Sequence, residues 1–596
     1  MFFYREGNYA ACQLPILDPF DPLMMKFIKV EPPLVCDLED DWVVVKGNIA
    51  RITEKARKKY GDIQCKFIDV LRANEYSSSL GIVTTTHTEY NLETTDFFRV
   101  YCESENGKNR WENRMAGIRY DEDVMNRAGW DRVPQGSLKL NILMLGFDSL
   151  SHMMVQRKLP RVYAKLQSMG AHILEGYNII GDGTPQALIP LLTGRTELEL
   201  PDTRKRMGKK ASYLDVFPFM WNVFKKFGYV TGYAEDCSNA GVFTYRLKGF
   251  DQQPTDHYLR TYYVDSTPMF DKQKPFCYGS LPRHKIMLNY IQDMFRVYED
   301  KPKFMFAFHG ELSHDYVNKI SVAENDLIEW LEWFQKSDYL NNTMLLFMSD
   351  HGQRFASIRD TQQGKLEERM PFFSVNLPKW FDKKYPKMAA NIKKNTKRLT
   401  TPFDIYATIM NVLQKEEYKN NVNKRSISLF NEIPLNRTCK DAYIEPHWCT
   451  CLKWDPIDIN HHFAIEAAKF FIKFLNRYNL EFTNHCATIE LEKIEWANKM
   501  APNEGLLKFH HSADKDGFVP IMSSDTKVTQ FYLQLKVITR PAFAIFEFSC
   551  QYDNNANQFI LYEKDISRIN KYGNQSWCIA ESQPQLNKYC YCKQQH

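Results

Sequence analysis

SLKLNILMLGFDS, residues 137–149, is the stretch that sets the architecture. Ile142, Leu143, Met144 and Leu145 follow one another without alternation, and the run ends in Gly146-Phe147-Asp148. A strand that is apolar on both faces is covered on both faces, as in a parallel sheet flanked by helices. The same texture repeats outward from it. LPRVYAKLQSMG (159–170) has helical spacing and stops at a glycine, and AHILEGYNII (171–180) reads as the next strand. PQALIPLLTG (185–194) reads as a helix, and WNVFKKFGYVTGYAED (221–236) as helix, glycine, strand. HKIMLNYIQDMFRVY (284–298) precedes the strand KFMFAFHG (303–310), and AENDLIEWLEWF (323–334) precedes MLLFMSDHG (344–352). TPFDIYATIMNVL closes the region with Ile405, Ile409 and Val412 on one helical face. Strands alternating with amphipathic helices predict an α/β fold with a mainly parallel sheet.

The rest of the 596 residues divides around this core. Residues 1–135 are mixed, rich in turn residues, and read as a cysteine-containing extension packed on it. Residues 136–440 are the α/β domain. Residues 441–596 change texture: HHFAIEAAKFFIKFLNRY is helical, while VTQFYLQLKVIT and AFAIFEFSC alternate, which predicts a smaller α+β domain. The 77 basic and 72 acidic residues nearly cancel, so the charge gives no reason to expect nucleic acid. The basic run Arg204, Lys205, Arg206, Lys209, Lys210 reads as a solvated loop.

Fourteen cysteines gather toward the two ends, and the pairs Cys449/Cys451 and Cys590/Cys592 lack the two-residue spacer of common zinc knuckles. They predict disulfides, with the C-terminal domain disulfide-rich, and so an extracellular or secretory-lumen protein. Sequons at Asn341, Asn436 and Asn574 agree, as glycosylation acceptors. The first twenty residues carry no basic start followed by an apolar stretch, and no window is apolar enough to span a bilayer. Membrane association is therefore expected only through a segment absent from this sequence. Oligomeric state has no signature here.

In an open parallel sheet, ligands bind at the carboxyl ends of the strands. Those ends carry Asp148, then Asp182 and Thr184, then His309, Glu311, His314 and Asp315, then Ser349, Asp350, His351 and Gly352. Each alone has a bland reading as a cap or a hydrogen-bonded loop residue. Together they are a donor set for one or two divalent ions, zinc first, with manganese or magnesium as alternatives.

The motifs NILMLGFDSLS, GDGTPQAL and MSDHG resemble the alkaline phosphatase and sulfatase superfamily. With CQLPILDPFDP, ELSHD, LEERMPFF and WCTC, most of the chain resembles the animal family called domain of unknown function 229. The resemblance implies the alkaline-phosphatase-like α/β sandwich, a metal site of Asp148, Thr184, Asp350 and His351, and Thr184 as nucleophile. Two-metal members carry Asp and His four residues apart; the residue four before His314 is Gly310, so the second site is incomplete. His314, Glu311, His447 and Arg354 are the candidates for a second metal or for phosphate, and His309 reads as structural. Glu367, Glu368 and Arg369 read as structural too. Sulfatases need a Cys or Ser in a C/S-x-P-x-R frame. Thr184-Pro185-Gln186-Ala187 offers neither nucleophile nor arginine, so sulfuric-ester hydrolysis is disfavoured. The expectation is a metal-dependent phosphoric-ester hydrolase or phosphotransferase acting on a phosphorylated lipid, glycan or small molecule. The alternative is a non-catalytic extracellular binding protein that keeps the fold.

Overall fold

The computed structural model describes residues 10–37, 39–270, 272–415, 425–445, 448–451, 454–500, 530–553 and 556–593. Its centre is a seven-stranded sheet of β1 (Asn141–Phe147), β2 (His172–Ile173), β3 (Val230–Glu235), β4 (His257–Tyr258), β5 (Lys303–His309), β6 (Thr343–Ser349) and β7 (Phe373–Asn376). The order is β4-β3-β5-β1-β6-β7-β2. The five strands from β4 to β6 run parallel, and β7 and β2 close one side antiparallel. The sheet is therefore mainly parallel, as expected.

All seven residues of β1 are buried, and alternate residues enter different cores. Ile142 and Met144 pack with helices Thr184–Thr193, Met220–Lys226 and Pro402–Asn411 on one face. Leu143, Leu145 and Phe147 pack with helices His152–Lys158, Pro160–Ser168, Arg283–Val297 and Glu324–Lys336 on the other. That is why β1 shows no alternation: both faces are interior. Gly146 lies between β5 and β6, where a Cβ would meet Phe308 at 2.7 Å and Met348 at 2.9 Å.

AHILEGYNII differs from the expected central strand. Only His172–Ile173 is extended sheet, and it sits at the edge beside β7. The remainder runs as coil alongside the segment around Thr400, with Asn178 N donating to Thr400 O and Thr400 N to Gly176 O. Gly176 permits this approach, since a Cβ there would lie 2.3 Å from Arg398 O. Thr184 thus reaches the centre of the sheet from its edge.

Residues read as a turn-rich extension instead form a four-stranded antiparallel sheet (Ser77–Thr86, Ile63–Asn74, Phe97–Ser104, Arg110–Ala116) and a three-stranded one. Trp42, Phe67, Tyr90 and Phe98 make a small core there, beside the Cys65–Cys102 disulfide.

The C-terminal region is an antiparallel sheet backed by helix His462–Tyr478, whose Ala464, Ala468, Phe471 and Leu475 pack on Leu533, Leu535 and Val537. Disulfides Cys486–Cys590 and Cys578–Cys592 close it, while Cys439–Cys449 and Cys12–Cys451 pin the chain entering it. Cys36–Cys277 makes the sixth bridge; Cys237 and Cys550 are free thiols. Among the described residues, no helix is long and apolar enough to cross a membrane.

Candidate metal centre and nucleophile

Asp148 follows β1 and Asp350-His351 follows β6, and these strands are hydrogen-bonded neighbours. Their turns lock together. Ser149 N donates to Asp350 Oδ1 at 3.0 Å, and Leu150 N to Ser349 Oγ at 2.8 Å. Ser149 Oγ donates to Asp148 Oδ1 at 2.7 Å. Gly352 has no room for a side chain: a Cβ would lie 2.3 Å from Glu367 O.

One donor atom each from Asp148, Asp350 and His351 lie within 4.8 Å of one another, and all three residues are buried. His351 Nε2 is 3.1 Å from Asp350 Oδ2 and 3.9 Å from Asp148 Oδ1. The other ring nitrogen, Nδ1, is 2.8 Å from Gly352 O; as a donor to that carbonyl it leaves a lone pair on Nε2, facing the carboxylates. Asp350 Oδ2 is buried with no hydrogen-bond partner. Burial, and next the Asp350 carboxylate, hold the Asp148 carboxyl above its ordinary range. A buried pair of carboxylates with an orphaned oxygen and an aimed imidazole lone pair fits a divalent cation.

Thr184 stands against this group. Its Oγ1 is 3.4 Å from Asp148 Oδ2 and 3.3 Å from His351 Nε2. It opens helix Thr184–Thr193, which has no side-chain cap, so the helix start presents free N–H groups and the positive end of its dipole. Gly183 precedes it at φ 93, in the region only glycine adopts freely, and a Cβ there would meet Arg354 Nη1 at 2.7 Å. Arg354 donates to Asp182 Oδ1 at 2.5 Å, which ties the Thr184 turn to the turn after β6. Burial raises the Asp182 carboxyl, but Arg354, Lys588 and His351 outweigh it and hold it low.

Of the candidates for a second metal or for phosphate, Arg354 lies beside the Thr184 turn, whereas Glu311 and His314 are not among the clustered donor atoms. Glu311 pairs with Arg283 Nη1 at 2.5 Å, and burial and then Asp236 push its carboxyl up. His314 is half-exposed, with Nδ1 3.5 Å from Asp315 Oδ1. His447 lies outside the described residues. His309 is buried, and burial pushes it down to about 4. Asp236, not singled out in the sequence, organises this loop: its carboxylate accepts from Gly310 N at 2.8 Å and Glu311 N at 3.0 Å. Its signal was the end of YVTGYAED, a strand-terminal aspartate like Asp148. Asn341, Asn436 and Asn574 are all exposed.

Glu367, Glu368 and Arg369 bracket the site from behind. Gly352 N donates to Glu368 O at 2.9 Å, Ile179 N to Arg369 O at 3.0 Å, and His152 N to Met370 O at 3.0 Å. One helix end thus touches the turns of Asp148 and Asp350-His351 and the segment leading to Thr184. Buried Glu547, from the C-terminal sheet, accepts from Arg359 at 2.9 Å and Arg369 at 2.8 Å.

A sequence profile described as protein of unknown function (DUF229) matches residues 29–495. The chain belongs to that family. No curated protein matches the sequence. Among solved structures, the chain is similar to a protein in the alkaline phosphatase superfamily from Vibrio parahaemolyticus, at 12% identity and TM-score 0.35, covering 77% of this chain and 90% of that one. It is also similar to the lipoteichoic acid synthase LtaP from Listeria monocytogenes, at 14% identity and TM-score 0.32, covering 56% and 83%. A third is murine ectonucleotide pyrophosphatase / phosphodiesterase 5, at 12% identity and TM-score 0.31, covering 51% and 99%. At these identities and scores the chemistry has to be argued from the strand-end side chains.

Proposed function

We propose that this DUF229 member is a metal-dependent phosphoric-ester hydrolase or phosphotransferase with Thr184 as nucleophile. The observation that carries the reading is the convergence of the Thr184 hydroxyl on Asp148 Oδ2 and His351 Nε2, beside the orphaned Asp350 Oδ2. Asp148, Asp350 and His351 would hold the ion, with zinc the best match to this mixed nitrogen and oxygen set. When bound, it supplies a Lewis acid that lowers the hydroxyl's pKa.

The chain's own groups do the rest. Gly183 lets the backbone approach the ester closely, and the helix start behind Thr184 faces the non-bridging oxygens. Arg354 orients the nucleophile turn through Asp182. The Thr184 oxygen bonds to phosphorus as the bond to the leaving alcohol breaks, and the hydroxyl proton leaves with that alcohol. Water or an acceptor hydroxyl then attacks the phosphothreonine, delivers phosphate, and returns a proton to Thr184. Threonine has no route to the aldehyde that sulfatases use, which favours phosphorus over sulfur. Disulfides and exposed sequons favour a secreted or luminal setting.

Protein loaded with zinc or manganese is assayed on a chromogenic phosphodiester, a phosphomonoester and a sulfate ester, beside Thr184→Ala. Phosphoester turnover that disappears in the variant supports the reading. Turnover that survives Thr184→Ala, or a preference for the sulfate, overturns it.

A further inference from the structure

Two loops of the α/β domain make one cationic surface. Arg204 and Leu247 form an isolated antiparallel bridge, with Lys205 N donating to Arg246 O at 3.0 Å and Lys248 N to Thr203 O at 2.8 Å. The bridge lays residues 204–210 beside residues 245–248. Lys248 braces the first loop: its Nζ donates to Ala211 O at 2.8 Å and Gly208 O at 3.4 Å, and lies 4.6 Å from the Tyr213 ring centre. Lys205 Nζ lies 4.7 Å from the ring centre of Tyr76, whose hydroxyl donates to Lys248 O at 3.0 Å. Lys205, Arg206, Lys209 and Lys210 are all exposed. The two rings among them are open as well, Tyr76 at 47% and Tyr213 at 38%.

The carboxylates around these loops are engaged elsewhere. Glu197 accepts from Arg246 Nη1 at 2.9 Å and from Gln186 Nε2 at 3.1 Å, which joins the surface to the first turn of helix Thr184–Thr193. Glu199 accepts from Arg425 Nη1 at 2.9 Å, and Asp202 from Arg204 Nε at 2.9 Å. Asp215 accepts from Asp251 N at 2.8 Å and Gln252 N at 2.9 Å. Glu75, beside Tyr76 in the chain, is buried and paired with Arg72 at 3.1 Å and Arg260 at 3.3 Å. Glu563, a further carboxylate whose charge reaches Arg206, accepts from Tyr478 Oη at 2.8 Å. Among the described residues, Lys205, Arg206, Lys209, Lys210 and Lys248 have no carboxylate within 4.0 Å. The 77 basic and 72 acidic residues of the chain differ by five, so apart from these five cations the sequence is balanced and its excess charge is gathered here. Unpaired cations with aromatic rings set among them match a linear polyanion whose units carry both negative groups and apolar faces. Six disulfides favour an oxidising, extracellular setting, where linear polyanions are acidic polysaccharides rather than nucleic acids.

We propose that this surface docks a sulfated, uronic-acid polysaccharide, with its anionic groups on these five cations and its sugar faces against Tyr76 and Tyr213. The docking is a binding function of its own and does not rest on the chemistry assigned to Thr184.

The test is calorimetric titration of the full chain with a heparin octasaccharide, and with a dextran of similar length as the neutral counterpart, at about 0.15 M salt. Heparin is expected to bind and dextran is not. The variant Lys205→Ala/Lys209→Ala/Lys210→Ala should weaken heparin about tenfold, the combined worth of three exposed charge pairs. The variant Lys383→Ala/Lys387→Ala/Lys393→Ala removes the same charge from exposed positions of helices Phe381–Lys384 and Pro386–Asn395, and should change the affinity by less than about twofold. Both variants alter exposed side chains only, and an unchanged melting midpoint confirms their fold. No heparin binding, or an equal loss in the two triple variants, overturns the docking surface. So does tighter binding of a thymidine oligonucleotide of matched charge, or of phosphatidylserine vesicles, because either assigns the cations to another class of partner.

Discussion

Glu547→Gln probes the bracket behind the site. Glu547 is fully buried and accepts from Arg359 Nη1 at 2.9 Å and Arg369 Nη2 at 2.8 Å, with Lys365 Nζ at 3.4 Å. Glutamine keeps the volume and one acceptor oxygen but removes the charge. Arg359 then keeps Glu368, which bonds its Nε at 2.5 Å, while Arg369 and Lys365 lose the carboxylate they face. Breaking a buried ion cluster by removing one partner costs about 3–5 kcal/mol. Burial pushes Lys365 down to about 7, so it can shed its proton and hold the loss near the lower end of that range. At about 2–4 °C per kcal/mol for a domain of this size, the melting midpoint falls by roughly 10 °C. Scanning fluorimetry measures it. The double variant Glu547→Gln/Arg369→Met, which removes one stranded cation, should recover part of the loss. Metal affinity should fall too, because Arg369 O and Glu368 O hold Ile179 and Gly352. A midpoint within about 2 °C of the unsubstituted protein would refute the electrostatic reasoning.

Gly183→Ala places a methyl 2.7 Å from Arg354 Nη1 at a φ that L residues rarely adopt. Strain of about 1–3 kcal/mol at the Thr184 turn predicts a loss of roughly ten- to a hundredfold in the proposed activity's kcat/KM with little change in melting midpoint. Asp350→Asn removes the orphaned oxygen's charge and should weaken zinc binding by at least about tenfold in calorimetry. Burial raises the Asp96 carboxyl, but His257 and Arg119 outweigh it and hold it at about 2, below its ordinary 3.8. The stability this contributes is present above 3.8 and is lost as pH falls toward 2. Asp96→Asn should therefore lower the melting midpoint at neutral pH and flatten its decline over that acidic interval.

The strand ends were legible because their cause is local. An unbroken apolar run must be covered on both faces, and the polar residue that stops it must point to the sheet's edge. Asp148, Asp350 and His351 follow from that, and Thr184 from the glycines before it. The path to Thr184 was not legible. AHILEGYNII has the composition of a strand, and its diversion to the sheet edge is set by a contact between Gly176 and Arg398, distant in sequence. The N-terminal sheets were hidden for a related reason. Ile63, Cys65 and Phe67 alternate, but their partner strand Ser77–Thr86 exposes Leu80, Ile82 and Val83 around a bulge, which scrambles the pattern. Glu311 stands among the candidates in the sequence because nothing there shows Arg283 reaching it from the start of a helix.

The central claim is that Thr184 becomes covalently phosphorylated. Zinc-loaded protein is mixed with a chromogenic phosphodiester, quenched in acid within the first turnovers, digested, and the peptide containing Thr184 is weighed by mass spectrometry. The account predicts a substoichiometric mass increase on that peptide, placed on Thr184 by fragmentation, that chases away on further incubation and is absent with Thr184→Ala. Product release at full rate with no label on Thr184, or label on another residue, would contradict it.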